Sequence, residues 1–254
     1  MTAPMTSAPE KPPLSEAEFI AGFHAIGEER YHHSHPFHLL MHEGKLTRGQ
    51  LQAWALNRYF YQSRIPIKDA AILARSEDSG FRLAWRKRIL DHDGDGRKPG
   101  GIEKWLNLVE ATGLSREQAV RGDGILPATR FAVQAYVEFV STRSHLEAVA
   151  SSLTELFSHK LIALRLERMR QHYPWLSSGL DYFTGRLTQA SEDAEFALAW
   201  VVTHAHKREE QDKAHAALRA KCDILWAQLD ALYLAYVNPG WPPPGTFQPA
   251  KDSR

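Results

Sequence analysis

In the stretch RYFYQSRIPIKD, residues Arg58, Tyr61, Gln62, Ile65 and Lys68 recur at steps of three and four, the spacing of one helix face. Two cations, a phenol and an amide along one stripe could grip an anionic ligand, or could simply face water. In YHHSHPFHLLMH, His38 and His42 stand at i,i+4 and could share a metal ion. No carboxylate stands at a matching spacing, and the plainer reading is packing and capping at a helix junction. His92 ends a helical run between Asp91 and Asp93. Those carboxylates could tune it toward a general base, or the imidazole simply complements the helix dipole. Glu155 lies among Leu153, Leu156 and Phe157. A carboxylate buried there needs a partner, and Arg165 further along offers a structural ion pair. Tyr182 and Arg186 share a face at i,i+4, read plainly as a surface packing pair, and Lys221 reads plainly as part of a solvated face.

Taken singly, each stretch has an ordinary structural explanation. Together they put a polar group on an apolar face in four or five helices. Buried polar groups are costly unless paired, so a shared polar cavity is the economical reading. Arg58, Lys68, Arg165, Arg186 and Lys221 would make it cationic, suited to a ligand with several carboxylates.

The elements that must position these residues read as helices throughout. Ser15 with Glu18 and Thr47 with Gln50 are capping boxes, and Ser115 with Gln118 caps a short piece. Pro36 and Pro127 suit first turns. A long segment from Thr47 to about Arg75 is expected to kink at Pro66. Ser79 leads into the helix that ends at His92, a second long helix is expected from about His145 to Gln171, Ser191 should cap the next, and the last should run from about Lys207 to Val237. No segment alternates with period two. The expected fold class is all-α, a bundle of seven or more helices over residues 15–237. Residues 1–14 read as a disordered tail and 238–254 as a Pro/Gly-rich tail or strap.

Net charge is +1, which gives no electrostatic case for nucleic acid or a membrane surface. No apolar run is long enough to span a bilayer. Phosphate-loop, dinucleotide, nucleophile-elbow and paired-cysteine motifs are missing. The single cysteine, Cys222, sits in an apolar helical pattern and fits a buried residue in a reducing cytoplasm.

The blocks RYFYQSRIPIKDAAILA, RILDHDG, GGIEKWL, SSLTELF, HYPW, RLTQA and KCDILWAQLDALYLAY closely resemble the pyrroloquinoline-quinone synthase family, in order and at nearly constant spacing. The resemblance implies a heme-oxygenase-like bundle, a homodimer, and a cytoplasmic oxidase without metal or organic cofactor. The implied reaction is ring closure and eight-electron oxidation of a bicyclic, amino-acid-bearing triacid to pyrroloquinoline quinone, with O2 as co-substrate and H2O2 released. By position, it implies substrate-binding roles for Tyr31, His32, Arg58, Tyr61, Gln62, Lys68, Arg88, Tyr136, Arg165 and Lys221. It implies catalytic roles for His92, Tyr182, Arg186 and Glu155. For that chemistry His92 is the expected base, and the DYFTGR segment, with Gly185 between Thr184 and Arg186, the expected mobile element. That segment is one residue shorter than the family's usual form, and Ile162 stands where the best-known members have a histidine. Related bundles bind two metals through a His-x3-Asp-x2-His set. Its counterparts here are Tyr182, Arg186 and Gln189, and an arginine there supplies charge without a ligand. A di-iron oxygenase of the same fold and a non-catalytic quinone carrier are the alternatives.

Overall fold

Glycine and proline punctuate the chain, and helices fill the intervals. The computed structural model describes residues 11–250, and of residues 188–193 the backbone alone. The N-terminal stretch 1–10, within the expected tail, lies outside the described residues. Helices α1 (Glu16–Arg30), α2 (Pro36–His42), α3 (Arg48–Gln62) and α4 (Ile65–Leu73) are followed by α5 (Ser79–Asp93), α6 (Gly101–Thr112), α7 (Arg116–Arg121) and α8 (Pro127–Thr142). Then come α9 (His145–Ala150), α10 (Ser158–His172), α11 (Asp181–His204) and α12 (Arg208–Tyr236). Short 3-10 segments occupy His32–Ser34, Ser151–Phe157 and Pro174–Gly179. The fold is all-α, with no strand among the described residues.

The local signals act where they stand. Ser15 and Thr47 each form a reciprocal capping box, with Glu18 and Gln50. Pro127 opens α8, and Gly113 (φ 97°) closes α6 in the left-handed region.

Four boundaries differ from the sequence expectation. The chain does not kink at Pro66; α3 ends at Gln62 and α4 begins afresh at Ile65. Proline has no N–H for the Gln62 carbonyl and its ring crowds that carbonyl, so the break comes one turn earlier and Pro66 settles into a first turn. Asp78, not Ser79, caps α5, accepting from the Gly80 N–H at 2.8 Å. The region from His145 is not one helix but α9, a 3-10 segment and α10. Ser191 caps nothing, because α11 runs continuously past it; its side chain lies outside the described residues.

Two apolar clusters hold the helices. One gathers Trp54, Trp105, Leu108 and Phe183; the other gathers Phe19, Phe23, Phe81, Trp85 and Leu218. Each fully buried side chain of this size contributes on the order of 1.5–3 kcal/mol. α12 crosses the interior against α1, α8, α9 and the 151–157 segment. Beyond it, the chain turns back so that the Phe247 N–H donates to the Gly124 carbonyl at 2.9 Å, while the Tyr236 hydroxyl donates to the Phe247 carbonyl at 3.0 Å. Among the described residues no helix is long and apolar enough to cross a membrane.

Candidate active site

A polar cavity lies where the two clusters meet. It takes Trp105, Ile162 and Phe183 from one and Leu161 and Leu225 from the other.

One wall is built from ion pairs. Arg88 and His92 stand one turn apart on α5. Arg88 donates from Nη1 and Nη2 to Glu155 Oε2 and Oε1 at 2.7 and 2.6 Å, a bidentate fork. Arg186, from α11, brings Nη2 to 3.6 Å from Glu155 Oε1. Behind them Lys68 Nζ lies 2.6 Å from Asp69 Oδ1, which also stands 3.4 Å from Arg88 Nε. Burial works to raise the Glu155 carboxyl, but Arg88 and Arg186 outweigh it and hold the group at about 2. The 3-10 segment is what brings Glu155 to this point. Its ends are tied by Ser151 Oγ donating to the Ala148 carbonyl (2.7 Å) and Ser158 Oγ to the Glu155 carbonyl (2.9 Å). Glu155 thus pairs with Arg88 and Arg186, not with Arg165 as the linear sequence suggested.

His92 has a defined tautomer. Its Nδ1 lies 2.9 Å from the Arg88 carbonyl, which only accepts, so Nδ1 carries the hydrogen and Nε2 keeps a lone pair. The flanking aspartates do not bring it into the neutral range. Burial, followed by the field of Arg186, lowers it to about 4. The glycine pair at the start of α6 packs beneath this wall. A Cβ on Gly100 would lie 2.3 Å from the His92 carbonyl, and one on Gly101 would lie 3.3 Å from the Tyr182 ring.

The opposite wall holds cations without acids. The Arg58 guanidinium sits 4.2 Å from the Tyr61 ring centre. Lys221 is only 2% exposed; its Nζ donates to the Tyr61 hydroxyl at 2.7 Å and stands 3.3 Å from the Tyr136 ring centre. Arg165 places Nη2 against the His38 ring, and its buried Nε has no hydrogen-bond partner. None of these three has a carboxylate partner among the described residues. Burial, followed by Lys68 and Arg58, pushes the Lys221 amine well below its ordinary value. Burial and then Arg58 lower Arg165 to about 10. Burial raises Tyr31 to about 12.

The sequence-derived candidates therefore divide. Tyr31, His32, Arg58, Tyr61, Gln62 and Arg165 line the cavity on the unpaired side, and His92, Glu155, Tyr182 and Arg186 on the paired side. Lys68, Arg88, Tyr136 and Lys221 do not line it: Arg88 bonds to Glu155 and Lys221 to Tyr61, while Lys68 pairs with Asp69 and the Tyr136 ring lies against Lys221. Tyr182 and Arg186 are both buried, not a surface pair. The side chain of Gln189 lies outside the described residues. Asp69, fully buried at the centre of the Lys68–Arg88 pairing, was missed; its place immediately after Lys68 in the stripe was the available signal. Cys222 is buried, and burial raises its thiol to about 12. No group of three or more His, Cys, Asp or Glu side chains converges as metal ligands among the described residues. His38 and His42 instead lie in a row of packed rings.

A helical bundle folded around a buried polar centre is the class of protein that these features define. A domain with a heme oxygenase-like fold from Shewanella denitrificans OS217 superposes with a TM-score of 0.71 at 14% identity, covering 92% of this chain and 96% of that one. A TenA homologue from Pseudomonas syringae gives 0.67 at 11% identity, over 90% of this chain and all of the other. The chain belongs to the TENA/THI-4/PQQC family, whose model matches residues 22–231. It is 55% identical over 242 residues to a pyrroloquinoline-quinone synthase of Xanthomonas campestris pv. campestris, covering 95% of this chain and 97% of that protein. It is 54% identical over 239 residues to a bifunctional coenzyme PQQ synthesis protein C/D of Methylorubrum extorquens, covering 94% of this chain and 64% of that protein.

Proposed function

We propose that the chain is a pyrroloquinoline-quinone synthase. In this reading it is an oxidase that closes a ring in a bicyclic amino-acid precursor and oxidises it by eight electrons, with O2 as acceptor and H2O2 released. The proposed reaction needs neither a metal nor an organic cofactor, and the working unit is a cytoplasmic homodimer. One observation supports the reading beyond relatedness: Arg58 and Arg165 line the cavity, Lys221 is buried behind them, and none of the three has a carboxylate partner among the described residues. Unpaired buried charge is costly, and a ligand with several carboxylates supplies what is missing.

The two walls then divide the work. The unpaired cations neutralise and orient the substrate's carboxylates. His92 Nε2, bare and facing the cavity, accepts a ring proton. An anionic substrate opposes the depressing field of Arg186, so binding raises the basicity of His92 toward the range a base needs. Arg186 and the protonated His92 stabilise negative charge that develops on reduced oxygen, and Tyr182 positions or protonates it. Ile162 leaves the oxygen pocket partly apolar and carries no proton.

The test is oxygen uptake by purified protein on addition of the bicyclic precursor, with peroxide measured alongside. Uptake with formation of the quinone supports the proposal. Tight product binding with no uptake would instead make the chain a carrier. Stoichiometric iron in protein purified without chelator, with activity lost on its removal, would move it to the di-iron oxygenases of this fold.

A further inference from the structure

Two histidine rings touch in the cationic wall, and their contacts decide where each proton sits. His32 lies in the 3-10 turn before α2 and lines the cavity; His38 lies in α2 behind it. His38 Nδ1 is 2.9 Å from the His32 carbonyl oxygen. A carbonyl only accepts, so His38 Nδ1 carries the hydrogen. The same nitrogen is 3.2 Å from His32 Nδ1. Two N–H groups cannot face each other at that distance, so His32 Nδ1 holds a lone pair. A neutral His32 then carries its hydrogen on Nε2.

Arg165 reinforces the neutral state without choosing the tautomer. Its Nη2 stands 3.3 and 3.0 Å from the two nitrogens of the His38 ring. Near-equal distances to both nitrogens place the guanidinium over the ring face, not at either in-plane lone pair. A cation so placed opposes protonation of His38, and burial joined by Arg58 and Arg165 opposes protonation of His32.

We propose that His38 is a positioning residue that acts through His32. By donating from Nδ1, it holds His32 as the Nε2–H tautomer and so fixes a hydrogen-bond donor beside Arg58 and Arg165 for an anionic oxygen of the ligand. His92 is held in the opposite sense, with Nδ1–H bound to a carbonyl and Nε2 bare. One histidine is set to give a hydrogen bond and the other to accept a proton. The ligand's identity rests on the function proposed above; the tautomers do not.

The experiment is long-range proton–nitrogen NMR on full-length, ligand-free protein labelled with 15N-histidine, paired with titration of pyrroloquinoline quinone. We expect His32 to show hydrogen on Nε2 alone and His38 on Nδ1 alone. His38→Asn keeps an N–H near the position of His38 Nδ1 and should preserve both the His32 tautomer and product affinity. His38→Leu should leave His32 in mixed tautomers and weaken product binding by about tenfold, the usual loss for a hydrogen bond to a charged group. Wild-type His32 with hydrogen on Nδ1 would overturn the proposal without any variant having to fold. A folded His38→Leu protein that keeps a single Nε2–H tautomer and full product affinity would overturn it as well. The expected tautomers in a protein that binds no product would support the relay and count against the ligand.

Discussion

Both walls of the cavity carry buried cations, but among the described residues only one of them pairs those cations with carboxylates. On the α5–α11 side, Arg88 and Arg186 share Glu155, and Lys68 shares Asp69 with Arg88. That network is largely compensated by its own two carboxylates before any ligand arrives. On the α3–α10–α12 side, Arg58, Arg165 and Lys221 lean on aromatic and imidazole faces, and none of them pairs with a carboxylate among the described residues. The first wall holds its geometry unaided. The second is poised to be completed by an anion. A cationic site is thus defined less by its cations than by which of them the protein leaves without an acid.

That contrast can be broken from either side. The largest effect is expected from His92→Ala, which removes the base from the compensated wall. kcat should fall by about 10²–10⁴, with product affinity near wild type; turnover at the normal rate would remove His92 from the mechanism. Glu155→Ala should come next, leaving Arg88 and Arg186 without their shared acid. A loss of about 3–5 kcal/mol in urea unfolding is expected for breaking a buried pair. Arg58→Ala, on the opposite wall, should leave stability nearly unchanged and weaken product binding by about 10–100-fold. If Glu155→Ala and Arg58→Ala cost the same in unfolding and binding assays alike, the two walls do not differ in kind. Lys221→Met should raise the melting temperature of the ligand-free protein, by about 1 kcal/mol in stability, because it removes an unpaired buried charge. The same variant should lose part of the stabilisation that product confers.

The smallest effect concerns pH. His92 is held at about 4 by burial and Arg186, against about 6.5 in an unfolded chain. The unfolded state therefore binds the extra proton between those values. The contribution of His92 to stability is full above about 6.5 and is lost as pH falls toward 4. Glu155, held at about 2, loses its contribution lower, from about 4.3 downward. His92→Gln should reduce the slope of stability against pH between about 4 and 6.5 by about one proton. The remainder belongs to other buried histidines such as His42, also at about 4. An unchanged slope in urea unfolding across that range would mean that His92 is not held neutral.

The helices were legible wherever their signals are local. Ser15, Thr47, Gly113 and Pro127 bond or turn within a few residues, so the linear chain contains the whole interaction. The stripe beginning in α3 was ambiguous by itself, and only the polar groups on the apolar faces of other helices turned it inward. What failed to show were consequences of distant packing. The 151–157 segment tightens into a 3-10 helix between α9 and α10, and Arg88 and Arg186, which receive its Glu155, come from α5 and α11. The partner offered for Glu155 by the sequence, Arg165, points to His38 instead. His92 looked tunable by its neighbours Asp91 and Asp93, but the field that governs it comes from Arg186 on another helix.

Gly100 and Gly101 do not line the cavity, yet they set how closely the start of α6 can lie beneath His92 and Tyr182. In a saturation-mutagenesis library scored for activity, Gly100 should be as blank as any residue in the cavity. A side chain there collides with the backbone of residues 92–94, which cannot move without carrying the base away. An experimenter reading such a map by intolerance alone would count a catalytic glycine. The blank would record clearance, the thickness of one hydrogen atom where a methyl group does not fit.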